Sequence, residues 1–183
     1  MVISEKALLK AMKAEYKEDG YKVAKSGHGD EAILHIQAAM WAVEITWANI
    51  PSKVLALIVE HIKTLPATGE AYQVRKGETA TTIFDMMEEM PEIEDANKLP
   101  AIHRTPITYK AMEVWQMDKD LACVFVQETA AAILMDYGRM VRMVGDGLYL
   151  EGKATKVFVI PEHFVETEPE RGVADFLAGH WWR

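Results

Sequence analysis

The stretch of residues 41–65 constrains the fold more than any other part of the chain. Trp41, Val43, Ile45 and Trp47 alternate with other side chains, and this period of two predicts a strand with one apolar face. Apolar residues then recur at helical spacing, which predicts a helix over residues 51–65 that ends at a proline. Because the strand and the helix can cover each other, we expect them to form the first part of the core.

The rest of the chain supplies short strands and two more helices. Ser4 is placed to cap a helix that runs to about Asp19 and ends at Gly20. An alanine-rich stretch predicts another helix over residues 127–137. Short strands joined by tight turns favour antiparallel meanders and hairpins. We therefore predict an α+β fold, with mostly antiparallel sheets packed by two or three helices.

Composition divides the chain into four predicted parts. Residues 1–86 are predicted to form an N-terminal α+β half, in the order helix, meander, helix and hairpin. Residues 105–166 are predicted to form a C-terminal α+β half. The acid-rich, proline-containing residues 87–104 predict a linker or loop between the halves, and residues 167–183 a tail.

The acidic residues are concentrated in one stretch. The 183 residues include 28 acids and 20 bases, for a net charge of −8, which argues against nonspecific nucleic-acid binding by the whole surface. No Lys or Arg occurs between Glu78 and Asp95. Such a stretch favours a basic protein partner, while a solvated loop is the ordinary alternative. The predicted partner-binding residues are Asp85, Glu88, Glu89, Glu92, Glu94 and Asp95.

A second candidate surface lies on the first predicted helix. Four lysines recur there at i, i+4, i+7 and i+11, so they lie on one side of the helix. This ridge can meet phosphates or an acidic partner, and a solvated face is again the ordinary alternative. The lysines are Lys6, Lys10, Lys13 and Lys17. Trp181 and Trp182 are a further candidate, because exposed tryptophans usually pack back or bind a partner.

No metal-binding or nucleophile motif is present. His28 and Asp30 lie two residues apart in a turn, but a metal site needs three or four converging ligands, and the other histidines share no ligand spacing with them. None of the serines lies in a Gly-x-Ser-x-Gly motif. We therefore predict no metal and no cofactor.

Two further residues are candidate catalytic groups. His61 falls in the apolar stripe of the predicted central helix, where a packed histidine is commoner than a general base. Cys123 is the one cysteine and lies among apolar residues, so we expect a small core side chain rather than a reactive thiol. We predict that the protein has no catalytic residues and is not an enzyme.

Three segments carry a resemblance to known proteins. They are KVLALIVEH at residues 53–61, GEAYQVRK at 69–76 and TIFDM at 82–86, and the later run over residues 124–160 is similar in style. These segments resemble small acidic proteins carried by phages and mobile elements of gut Clostridia. Some proteins of that group are anti-CRISPR proteins, which inhibit type II Cas9 nucleases. The resemblance implies a protein that binds a host or rival protein, and it assigns no functional residue by motif.

The leading expectation is an inhibitor that binds Cas9, or Cas9 with its guide RNA, and blocks DNA engagement through its acidic surface. Cas9 holds nucleic acid in positively charged channels, which suits an acidic partner. Two alternatives remain open: an immunity-type or other interaction module of a mobile element, and nucleic-acid binding through the lysine ridge. Because no signal peptide and no stretch of ~20 apolar residues is visible, we expect a cytoplasmic protein of a bacterial host.

Overall fold

A computed structural model describes residues 3–82, 90–134, 141–165 and 167–179. This part of the chain contains four α-helices and twelve β-strands. The helices are α1 (Glu5–Lys17), α2 (Ser52–Ile62), α3 (Glu128–Ala131) and α4 (Glu168–Gly179). The strands are β1 (Tyr21–Ser26), β2 (Ile33–Gln37), β3 (Trp41–Thr46), β4 (Ala71–Arg75), β5 (Glu78–Thr82), β6 (Ala101–Tyr109), β7 (Met112–Met117), β8 (Cys123–Gln127), β9 (Val141–Val144), β10 (Gly147–Gly152), β11 (Thr155–Val159) and β12 (His163–Phe164).

All twelve strands belong to one sheet. Its order is β12-β8-β7-β6-β9-β10-β11-β3-β2-β1-β4-β5, and neighbouring strands run antiparallel. The pairing of β11 with β3 joins strands β6–β12 to strands β1–β5. In this pairing Val157 lies opposite Val43. The predicted fold class is therefore wrong, because one continuous sheet replaces the several predicted sheets and the described residues form four helices. Alternation shows which face a side chain takes, but not which distant strand lies alongside.

One face of this sheet carries the main core. Alternate residues of the strands point to the same side, and α1, α2 and α3 cover that side. Leu34 and Val43 of the early strands and Leu148 of β10 are buried in the same cluster as Leu8 of α1 and Ile58 of α2. The two predicted halves thus share a core. The predicted division of the chain into domains stays a prediction.

The first two helices occur where the sequence predicts them, but α2 ends at Ile62 with Lys63 in the left-handed conformation, and not at the predicted proline. Ser4 caps α1, and its Oγ accepts the N–H of Ala7 at 3.2 Å. After the helix, Gly20 has a φ of 85° and donates its N–H to the carbonyl of Glu15 at 2.7 Å, which is a common way to close a helix. A Cβ at Gly20 would lie 2.5 Å from the carbonyl oxygen of Val74, so only glycine fits there.

The other two helices differ from what the sequence predicts. Of the helix predicted over residues 127–137, the described part, which extends to Leu134, contains only the four-residue helix α3. Residues 135–137 lie outside the described residues. The predicted tail contains a helix, α4, which packs Leu177 against Cys123 and Phe125 on the face of the sheet away from α1. Cys123 is a buried core side chain, as predicted, and burial raises its pKa to about 11, which disfavours a reactive thiolate.

We call the linker predicted over residues 87–104 the acidic connector. Its described part also approaches that second face. Met90 lines a small hollow together with Ala42 and Phe158, whose side chains point away from the main core. Further along, Arg142 donates from Nη1 to the carbonyl of Leu99 at 2.9 Å. The described part of the connector, residues 90–99, therefore lies across the sheet from α1 and α2.

Gly147 offers a test of the packing on this second face. A Cβ at Gly147 would come within 2.1 Å of the ring of Phe158 on the neighbouring strand. We expect Gly147→Ala to lower the free energy of unfolding by about 1–3 kcal/mol, because the ring must move. Gly172→Ala is the matched control: it meets nothing within 4 Å inside α4, and it should raise that free energy by about 0.5–1 kcal/mol. Urea unfolding measures both, and a stable Gly147→Ala variant would contradict this packing.

Candidate functional site

Five lysines gather along one groove between α1 and α2. The lysines of the predicted ridge are all exposed, and Lys53 at the start of α2 joins them. The groove is open, with a volume of about 590 Å³, and Glu5, Leu9 and Ala14 complete its lining. We call this surface the lysine groove. Its lysines are Lys6, Lys10, Lys13, Lys17 and Lys53.

The packing of α1 explains why its lysines face outward. Leu8, Ala11 and Met12 are buried in the main core, so the opposite side of the helix is turned to solvent. Glu15 does not neutralise the groove, because its Oε1 accepts a hydrogen bond from Trp41 Nε1 at 3.2 Å. Burial raises the pKa of Glu15, while the hydrogen bond from Trp41 lowers it.

Electrostatics leave the groove strongly positive. Lys53 Nζ lies 3.3 Å from Glu5 Oε1, and the lysine side chain is 75% exposed. Solvent screening makes such exposed pairs weak, so this contact does not cancel the charge of Lys53. Among the described residues that line the groove, five lysines therefore stand against one glutamate.

The shape of the groove suits an extended anion. From Lys6 to Lys17 the helix rises by ~16 Å, at about 1.5 Å per residue. Lysine ammonium groups act as mobile point charges that donate hydrogen bonds in several directions. An arrangement of this kind holds a row of phosphates better than one small anion of fixed geometry.

His61 is packed just behind the groove. Its ring stacks on Tyr16 with the centroids 3.7 Å apart, and its Nδ1 lies 2.8 Å from the hydroxyl of Tyr21. Burial lowers the pKa of His61, and Glu60 opposes this effect. Because these contacts join α1, α2 and β1, they give His61 a role in packing.

The lowered pKa of His61 predicts a pH effect on stability. In the unfolded chain the ring titrates near 6.5, and in the folded chain at a lower pH. The contribution is fully present above pH 6.5 and is lost as the pH falls from that value, because the unfolded state then binds a proton that the folded state does not. We expect urea unfolding to show a weaker loss of stability on acidification for His61→Gln than for the wild type.

The control for this effect is His28→Gln, which alters an exposed histidine in the turn after β1. Glu60, Lys13 and Lys63 are the charged groups that act on His61, and all are unchanged in both variants. The pH dependence of His28→Gln should therefore match that of the wild type. An identical acid slope in the wild type and in His61→Gln would contradict this account.

Part of the predicted partner site and both terminal tryptophans cannot be placed. Asp85, Glu88 and Glu89 lie outside the described residues, and so do Trp181 and Trp182. The predictions for these five residues stay predictions.

The remaining predicted acids lie in the described part of the connector. Glu92 and Glu94 are exposed. Asp95 has local partners: its Oδ1 accepts the N–H of Asn97 at 3.0 Å, and its Oδ2 lies 3.6 Å from Lys98 Nζ. None of these three acids lines the lysine groove, so the two predicted surfaces do not form one site.

The described ranges contain no group of three or more His, Cys, Asp and Glu side chains arranged to hold a metal ion. His28 and Asp30 are both exposed in their turn.

Among the helices of the described ranges, none has both the length and the apolar character needed to cross a membrane.

Sequence reasoning identified the lysines of α1 but missed Lys53. The helical pattern of α2 places Lys53 away from the buried stripe of Val54, Leu57 and Ile58, which is the one signal that it is exposed. Only the packing of α1 against α2 shows that Lys53 meets the other four lysines.

No family model and no curated protein matches the chain. Two solved structures are similar: the β subunit of DNA polymerase from Streptococcus pyogenes (TM-score 0.46, 8% identity) and the DNA polymerase III β chain from Streptococcus pneumoniae TIGR4 (TM-score 0.43, 10% identity). The alignments cover 89% and 92% of this chain, which spans 63% and 66% of the length of those proteins. A likeness at this level says nothing about what this chain binds.

Proposed function

We propose that the lysine groove binds the phosphate backbone of a nucleic acid. The observation that carries this proposal is the convergence of five exposed lysines on one groove, where Glu5 is the one acid among the described lining residues. Glu15 does not line the groove and accepts a hydrogen bond from Trp41 instead. Because the whole chain, with these lysines included, has a net charge of −8, the surface outside the groove is acidic and favours binding in one orientation.

Binding of this kind is electrostatic and independent of base sequence. Lysines that neutralise phosphates release condensed counterions, so the affinity falls steeply as salt rises. Each strand of a duplex has one phosphate per about 3.4 Å of helix axis and winds around that axis, so ~16 Å of protein helix can contact a few successive phosphates. The groove therefore matches a short stretch of backbone.

Fluorescence anisotropy with a labelled DNA duplex at increasing salt tests the proposal. We expect the logarithm of the association constant to fall with the logarithm of salt concentration at a slope of roughly −4, set by the lysines that contact phosphates. A single strand of the same length should show a shallower slope, of roughly −3. Absence of binding at 50 mM salt, or binding that ignores salt, would overturn the proposal.

A second proposal keeps the inhibitor function expected from the resemblance. We propose that the acidic connector binds a basic protein, with Cas9 as the first candidate and a basic nuclease toxin as the next. The exposure of Glu92 and Glu94, on the face away from the lysines, supports it, because a basic partner there avoids repulsion from the groove.

Co-precipitation with purified Cas9, with and without guide RNA, tests this second proposal. Changing Glu92 and Glu94 to glutamine should slow association with the partner, since charge complementarity acts mainly on the association rate. Changing Asp120 and Asp146 to asparagine removes the same charge at two exposed turns and should have no effect. An unaltered rate in the glutamine variant, or no binding by the wild type, would count against Cas9 as the partner.

A further inference from the structure

A serine, a histidine and a glutamate line up across three neighbouring strands. Ser26 ends β1, His35 lies in β2 and Glu44 lies in β3. In the strand register, His35 lies directly opposite Glu44 of β3 and opposite Ala24 of β1. Ser26 follows two residues after Ala24 on the same strand. Their side chains lie on the face of the sheet away from α1 and α2, so this cluster is separate from the lysine groove.

The distances within this cluster fit a base-activated hydroxyl. Ser26 Oγ lies 2.7 Å from His35 Nε2, and His35 Nδ1 lies 3.2 Å from Glu44 Oε1. A carboxylate at Nδ1 favours the tautomer with the proton on Nδ1. In this tautomer Nε2 accepts the hydrogen bond that the hydroxyl of Ser26 donates. This order of hydroxyl, imidazole and carboxylate is the arrangement that activates a serine nucleophile.

Solvent reaches this cluster. The side chains of His35 and Glu44 are each 17% exposed. Gly27, directly after Ser26, is exposed with a φ of 68°, so the next residue has no side chain to cover the hydroxyl.

We propose that Ser26, His35 and Glu44 form a catalytic triad that hydrolyses small esters. Ser26 Oγ attacks the carbonyl carbon while His35 Nε2 takes the hydroxyl proton. The ester C–O bond breaks, and the alcohol leaves with that proton. Water then attacks the acyl group on Oγ and gives a proton to Nε2, which returns it to the serine oxygen as the carboxylic acid departs. Glu44 holds the imidazolium in place through its contact with Nδ1.

This activity goes beyond nucleic-acid binding and departs from the prediction that the protein is not an enzyme. The sequence gives no motif for it, because Ser26 lies outside a Gly-x-Ser-x-Gly turn. The three residues are brought together by strand register alone.

Labelling with a fluorophosphonate, a probe that reacts with activated serine hydroxyls, tests the triad. We expect one adduct per chain by intact mass, located on Ser26 by peptide mapping. Ser26→Ala should remove the adduct, and His35→Gln should slow its formation at least a hundredfold. Ser52→Ala, at an exposed helix start, is the control and should label like the wild type.

Hydrolysis of p-nitrophenyl acetate gives a second readout. Ser26→Ala should lose the catalysed rate, and Glu44→Gln should lower it at least tenfold while keeping the wild-type unfolding midpoint. Folded wild-type protein that leaves Ser26 unlabelled, or that labels equally fast with His35→Gln, would overturn the proposal whether or not the protein binds DNA. Conversely, a failure of duplex binding would leave a positive labelling result standing.

Discussion

Replacing the four lysines of α1 with glutamine is expected to reduce the affinity for duplex DNA by about a thousandfold at low salt. Each lysine that contacts a phosphate contributes about one unit to the salt slope, so the slope should fall from roughly −4 toward −1. Lys53 is the one lysine of the groove that remains. The fold should persist, because all four side chains are exposed. The replaced residues are Lys6, Lys10, Lys13 and Lys17.

A matched variant separates this local effect from net charge. It replaces four exposed lysines that do not line the groove, and it changes the net charge by the same amount. These residues are Lys98, Lys110, Lys119 and Lys153. Anisotropy titrations should give this variant an affinity within a few-fold of the wild type. Equal losses in the two variants would mean that binding follows overall charge and not the groove.

Ile58→Ala is expected to lower the free energy of unfolding by about 2–5 kcal/mol. Ile58 is fully buried in the cluster that α2 shares with strands from both predicted halves of the chain. Truncation removes apolar contacts and leaves a cavity that the surrounding helices and strands close only in part. Urea unfolding, followed by tryptophan fluorescence and by circular dichroism, measures the loss.

The neighbouring Val59 supplies the control for this substitution. Its side chain is 40% exposed, so Val59→Ala should change the unfolding free energy by no more than about 0.5 kcal/mol. Since the core is shared, fluorescence and circular dichroism should report one coincident transition in both variants. Similar effects of the two substitutions would contradict the position of α2 in the core.

Local signals predicted the first helices and several strands correctly. Ser4 and Gly20 mark the limits of α1, because a side-chain cap and a left-handed residue are local requirements. The alternation after Trp41 predicted β3, and its apolar residues are buried as expected. The lysine spacing on α1 likewise predicted one exposed row, since helix geometry alone determines it.

Features that depend on distant partners could not be predicted in this way. The pairing of Val43 with Val157 joins strands that are far apart in the chain, and many apolar strands would match equally well. The sequence does not predict α4, because the acids of residues 162–170 suggest a solvated tail. The helix is held by Leu177, which contacts strands β7 and β8. The contact of Ser26 with His35 depends on strand register in the same manner.

Lysine modification with and without DNA is the most direct test of the central claim, that the lysine groove binds nucleic acid. Acetylation of the free protein and of its complex with a duplex, mapped by mass spectrometry, reports which lysines the DNA covers. We predict protection of the five groove lysines, and unchanged modification at Lys98, Lys110, Lys119 and Lys153. Protection spread over those four control lysines, or bound DNA that leaves Lys10 and Lys13 fully reactive, would contradict the account.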